Sequence, residues 1–310
     1  MAGGPKGAPT LRVMRPTRDP LVRALARWSL ATTIFLVMLG GYTRGSGSGY
    51  GCKDRWPLCE NGLLGGLLPR LEYHMIVEWT HRWVAAIVGL LIVATAVAAW
   101  RARPRNPRAL GPAVAAIFVV GLQAWLGRAI VKGGLDRDLV SIHLTVSMAI
   151  IGLLVLVVIG CREGPASRAG IGWRWALVTG AATAYGVLLL GSTVHNLYFA
   201  GWPVMQDGLV PEFANRYVVL HYTHRVVAGL GFLYLVWLAW RAWRTARAER
   251  WLLAAAAGAF TVNVALGAVH VFTEVSSAAV VAFHLLFAAL AWAASVGAAA
   301  VAWGWHRSAP

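Results

Sequence analysis

Acidic residues are scarce in this chain: 12 Asp and Glu stand against 28 Lys and Arg over 310 residues, and charged residues of both signs reach only 13%. A water-soluble domain of this length needs far more charge to cover its surface, so a soluble globule is excluded. Cysteine is almost missing as well. Cys52, Cys59 and Cys161 are too few for a disulfide-stapled scaffold. No four Cys or His residues lie close together, as a structural zinc site would require.

Apolar residues fill the space instead, at 58% of the chain. Runs of about 20 of them, the length that crosses a hydrocarbon core roughly 30 Å thick, recur near 25–43, 75–100, 111–131, 139–160, 173–194, 217–240, 251–272 and 278–303. They predict eight transmembrane helices, with the lipid bilayer as solvent. The first run follows a basic tail (Lys6, Arg12, Arg15, Arg18, Arg23, Arg27) and has no small-residue cleavage site after a short apolar core. It is therefore expected to remain as a helix rather than to be removed as a signal peptide.

A net charge of +16 invites a nucleic-acid reading, but the placement of the charges argues against one. With the N-terminus inside, the inner segments carry 18 Lys and Arg against Asp19, Glu163 and Glu249, while the outer segments carry ten against nine acids. That imbalance follows the rule by which basic loops stay on the cytoplasmic side. The expectation is a multi-pass cell-membrane protein with both termini cytoplasmic and no nucleic-acid partner. Cys52 and Cys59 then share the outer, oxidising side and are the pair able to form a lasting disulfide.

The chain repeats itself. Trp56-Pro57-Leu58 with Gly62 is matched by Trp202-Pro203-Val204 with Gly208, and Thr80-His81-Arg82 with Ala85 by Thr223-His224-Arg225 with Ala228. Gln123 and Leu126-Gly127 are matched by Asn263 and Leu266-Gly267, and His143-Leu144 by His284-Leu285. A period this long is a duplicated bundle rather than a solenoid. The fold class read from the sequence is an all-α membrane protein, its eight helices forming two pseudo-symmetric four-helix bundles. The divisions are a basic tail at 1–24, halves at 25–160 and 173–303, a cytoplasmic linker at 161–172 and a tail at 304–310. An even number of spans per half relates the halves by an axis along the membrane normal.

Ionisable groups inside a membrane are expensive and mark function. His81, His143, His224 and His284 all fall at a similar shallow depth below the outer surface. Two imidazoles at one depth on different helices of a bundle can ligate the iron of a flat macrocycle from both faces. Glu78 lies three residues before His81, on the same helix face. A carboxylate there can serve as general base or stabilise positive charge; the alternative is an interfacial pairing with Arg82 or Arg128. The second half has His221 in its place. Met205 likewise stands where Cys59 would be, and the Cys52 to Cys59 loop reads either as a staple or as an exposed redox pair. Arg82 and Arg225 are turned off the histidine face, toward haem propionates or toward headgroups. His74, His195, His270 and His306 read as polar edge residues.

These residues resemble the haem A synthase family. The resemblance is carried by Gly40-Gly41 and Arg44 leading into Gly47-Ser48-Gly49, Cys52 with Trp56-Pro57-Leu58-Cys59 and Gly62, Glu78 with His81-Arg82, then His143, His224-Arg225 and His284. It covers nearly the whole chain outside its tails. The resemblance implies a membrane oxidoreductase for cytochrome oxidase assembly, which oxidises the C8 methyl of haem O to the formyl of haem A by successive hydroxylations and loss of water. It implies that His81 and His143 ligate the substrate haem, that Glu78 assists, and that His224 and His284 hold a haem b cofactor relaying electrons. His221, three residues from a presumed ligand, departs from that pattern. Implied partners are the enzyme that makes haem O and cytochrome oxidase assembly factors, and an oligomer is compatible with all of this.

Two other classes compete. A diheme b-type electron-transfer subunit needs the same four histidines but gives Glu78 and the cysteine loop no task. A transporter built from repeats would show paired broken helices at mid-membrane, which the apolar runs lack.

Overall fold

Polar punctuation decides where each helix starts. In the computed structural model, which describes residues 20–164, 167, 169–194, 201–202, 208–274 and 276–308, Asn106 accepts the Arg108 N–H and Asp136 accepts those of Asp138 and Leu139. Asn215 does the same for Tyr217 and Val218, and Ser277 for Val280. Side-chain acceptors of this kind satisfy amides that have no partner within the first turn.

The helices are α1 Pro20–Gly45, α2 Tyr73–Arg101, α3 Pro107–Lys132, α4 Arg137–Gly160, α5 Ile171–Val194, α6 Arg216–Arg244, α7 Arg250–Phe272 and α8 Ala278–Ala302. All eight, among the described residues, are long and apolar enough to cross a membrane. The shortest has 23 residues, about 35 Å of helix at 1.5 Å per residue. This is a multi-pass membrane protein.

Large apolar side chains point outward, as lipid permits: Leu90 and Phe118 are 71% and 74% exposed. Small residues fill the helix contacts, which is how backbones approach closely when lipid removes the hydrophobic drive. A Cβ on Gly45 would lie 2.9 Å from the Ala278 Cα, so α1 and α8 nearly touch there. Neighbour packing runs α1 to α2 to α3 to α4 and back to α1, and again α5 to α6 to α7 to α8 and back to α5. The two sets meet where α8 packs on α1 and α4, and where α4 meets α5.

One addition to an all-α reading lies at the end where α4 finishes and α5 begins. Strands β1 Glu163–Gly164 and β2 Arg307–Ser308 pair in parallel. Beside them Trp305 donates to the carbonyls of Arg108 and Leu156, and Arg108 donates to the carbonyl of His306. His306 is buried here, not the polar edge residue expected from its place in the tail.

Candidate functional site

Each of the four singled-out histidines has a glycine behind it on a neighbouring helix. A Cβ on Gly40 (α1) would meet His81 Cε1 (α2) at 3.2 Å, and one on Gly191 (α5) would meet His224 Cε1 (α6) at 3.0 Å. Gly127 (α3) stands 3.6 Å from His143 Cε1 (α4), and Gly267 (α7) 3.6 Å from His284 Cε1 (α8). The same glycine–imidazole packing is thus made twice in each set of four helices. It was partly legible, since Gly127 and Gly267 were already marks of the repeat.

All four histidines, with Glu78, Arg82, His221 and Arg225, line one cavity of about 1850 Å³. His81 on α2 and His143 on α4 belong to different walls of it. Their Nδ1 atoms are buried without a hydrogen-bond partner among the described residues. Buried polar nitrogens left this way are costly, and here the rings are held by packing rather than by hydrogen bonds. Four imidazoles that line one large cavity, each with its Cε1 packed toward a glycine of a neighbouring helix, fit ligation of the metal of a macrocycle. Among the described residues no three His, Cys, Asp or Glu side chains gather as a polydentate metal site.

Glu78 is 3% exposed and fully engaged. Its Oε1 accepts from Arg82 Nε at 3.1 Å and Nη2 at 2.5 Å, and its Oε2 accepts the Cys52 N–H at 2.7 Å. Arg82 Nη1 also donates to the carbonyls of Arg55, Pro57 and Leu58 at 2.8, 3.1 and 3.2 Å. Arg82 is therefore a clamp that fastens the α1–α2 loop over the Glu78 and His81 end of the cavity. Its guanidinium is turned to Glu78 and the loop carbonyls while Arg82 still borders the cavity. The Glu78–Arg82 pairing foreseen from the sequence is present, but buried rather than interfacial.

Cys52 and Cys59 form a disulfide with Cα atoms 4.3 Å apart. Both are essentially fully buried, packed on Met75 and Trp79, so the redox-pair reading lacks the exposed sulfurs it needs. The loop also presses on the start of α2, where a Cβ on Gly51 would fall 2.1 Å from the His74 carbonyl oxygen. His74 itself hydrogen-bonds Ser48 at 2.9 Å.

The second set differs in the polar partner. Arg225 Nε donates to His221 Nε2 at 3.1 Å, the counterpart of Arg82 on Glu78. His221 thus replaces the carboxylate, while His224 holds the position against glycine that His81 holds. His270, expected at the edge, packs edge-to-face on His284 with ring centroids 5.0 Å apart. Pro203, Val204, Met205, Asp207 and His195 lie outside the described residues.

The sequence matches the cytochrome oxidase assembly protein family over residues 67–296. The chain belongs to this family. Relatives bearing the name heme A synthase agree with it along most of their length. One from Symbiobacterium thermophilum is 30% identical over 223 residues, 67% of this chain and 71% of the relative. Another from Shouchella clausii is 27% identical over 284 residues, 86% of this chain and 93% of the relative. A third, from Oceanobacillus iheyensis, is 26% identical over 289 residues, 86% and 91% respectively. The four cavity histidines and Glu78 lie inside the matched region, while α1 residues such as Gly40 and Arg44, which also line the cavity, precede it.

Proposed function

We propose that this assembly protein is a haem A synthase, a membrane oxidoreductase that converts the C8 methyl of haem O to the formyl of haem A. The observation that carries the reading is a glycine-backed pair of histidines made twice around one cavity, with a buried carboxylate beside only one pair. His81 and His143 ligate the iron of the substrate haem, and His224 and His284 hold haem b. When bound, haem b supplies reversible one-electron transfer.

Glu78 works in the first pocket. Arg82 and the Cys52 N–H hold the carboxylate in one orientation, poised to accept a proton or to stabilise positive charge at the reacting carbon. The outer loop, stapled by its disulfide and clamped by Arg82, covers that pocket and keeps water away from it. His221 leaves the second pocket without a carboxylate at the equivalent place, which suits a site that carries electrons and does no chemistry on its haem.

The closed packing order of α1 to α4 and of α5 to α8 supports two pseudo-symmetric four-helix bundles divided near 161–172. Arg101, Arg241, Arg244 and Arg250 at helix ends of one side support cytoplasmic termini in a cell membrane. Haem O must come from an enzyme that prenylates haem, and haem A must pass to the oxidase under assembly.

The test is pigment analysis by pyridine haemochrome and reversed-phase chromatography, after production alongside a source of haem O. Haem A, or its hydroxylated precursor, is the expected product. Recovery of unaltered haem b alone refutes the assignment in favour of a diheme electron carrier.

A further inference from the structure

The cavity is deeper on one side than on the other. Along α1 and α5 it reaches equivalent depths, at Thr33 and Ala184, and along α4 and α8 it does so at Ile150 and Ala291. Along α2 it continues to Val93 and along α3 to Ile117, whereas on α6 it ends at Phe232 and on α7 at Phe260. The repeat sets the correspondence. Counting from His81 and His224, Phe232 takes the place of Gly89; counting from Gly127 and Gly267, Phe260 takes the place of Val120.

Those two phenylalanines meet, with ring centroids 6.1 Å apart and Phe260 buried in the core. They close the space beneath the second histidine pair. Beneath the first pair it is open, since a Cβ on Gly89 or Gly121 meets nothing within 4 Å. From His81 to Val93 is twelve residues, so the channel between α2 and α3 runs about 18 Å along the helix. Its walls are Gly89, Val93, Ile117, Val120 and Gly121, none of which offers a polar side chain.

We propose that the α2–α3 channel receives the isoprenoid side chain of a prenylated porphyrin, and that Phe232 and Phe260 deny such a chain to the second pocket. The two aromatic rings thereby sort prenylated from unprenylated haem between two otherwise similar ligand sets. The inference rests on the haem A synthase reading and names the residues that give it specificity. A hydrocarbon chain gains little on leaving lipid for an equally apolar channel. The discrimination is therefore steric exclusion at the phenylalanines rather than affinity at the glycine.

The test uses the full chain, produced with a source of prenylated haem, purified, and its extracted pigments separated by chromatography. In Gly89→Phe/Val120→Phe, prenylated haem per haem b is expected to fall about tenfold, the effect of overpacking a pocket, with the low-spin haem b spectrum kept. If that variant loses haem b too, Gly89→Leu carries the same test with less bulk. Conversely, Phe232→Gly/Phe260→Val in a His81→Ala background is expected to retain prenylated haem that His81→Ala alone does not. A wild-type pigment ratio in a folded filled variant overturns the proposal and leaves the channel to a lipid acyl chain. Wild-type protein that never carries prenylated haem overturns the haem A synthase reading itself, an outcome read without any variant.

Discussion

Replacing Gly191 by alanine is expected to weaken haem b retention, and the geometry gives the size of the effect. The added methyl would sit 3.0 Å from His224 Cε1 and 3.6 Å from both ring nitrogens. Carbon atoms at their best separation are about 3.5–4.0 Å apart, so the imidazole must retreat by roughly half an ångström or α5 must move back. Overpacking of this kind costs about 1–3 kcal/mol; borne by the ligand, that is roughly five- to hundredfold weaker retention. Alanine is the better helix former, so the backbone supplies no competing penalty. Gly40→Ala, at 3.2 Å from His81, should do less, and to the first pocket only. Gly127→Ala and Gly267→Ala, both at 3.6 Å, should be near neutral. The assay is haem per polypeptide after dilution in detergent, with the low-spin absorbance band read alongside. Loss of haem b from Gly267→Ala but not from Gly191→Ala would refute the claim that these glycines set where the imidazoles stand.

Glu78→Ala should abolish aldehyde formation and keep the haem b spectrum. It leaves Arg82 without its buried counter-ion, at a cost of about 3 kcal/mol, the low end for a broken buried pair because three loop carbonyls remain. Glu78→Gln keeps an acceptor for the Cys52 amide, so the loop should stay in place while the oxidation still fails; joint loss of haem b in both variants would make the carboxylate structural. His284→Ala should remove the low-spin haem b signal, and survival of that signal would show that another residue ligates the iron. Cys52→Ser/Cys59→Ser should forfeit about 2–3 kcal/mol of loop stabilisation for a closure this short, read as faster proteolysis of the outer loop. Unchanged cleavage would mean that Arg82 alone holds the loop.

The sequence carried the helices because lipid imposes a simple length rule, and every apolar run became a helix. Their ends reach further than the runs do. Asn106 with Pro107 starts α3 four residues before its apolar stretch, and α6 continues through Arg241 and Arg244, because polar residues at the interface prolong a helix without lengthening its hydrophobic core. The four histidines were legible from the repeat. What surrounds them was not. The clamp of Arg82 on Arg55, Pro57 and Leu58 joins residues more than 20 positions apart through backbone carbonyls, which leave no mark in residue type. The pairing of Arg82 with Glu78 was legible from their spacing of four, but its burial was not, because the loop that covers it comes from residues distant in the sequence. His270 and His306 were taken for edge residues because composition does not show which neighbour a side chain packs against.

The contact of α8 with α1 and α4 has a bearing on biogenesis. The helix that leaves the ribosome after the other seven is the one that covers Gly41 and Gly45 of the first. Until it inserts, the first pocket lacks its neighbouring wall, so a porphyrin admitted during translation would meet a half-built container. On the proposed reading, porphyrin loading of the first pocket is expected to follow the docking of α8 against α1.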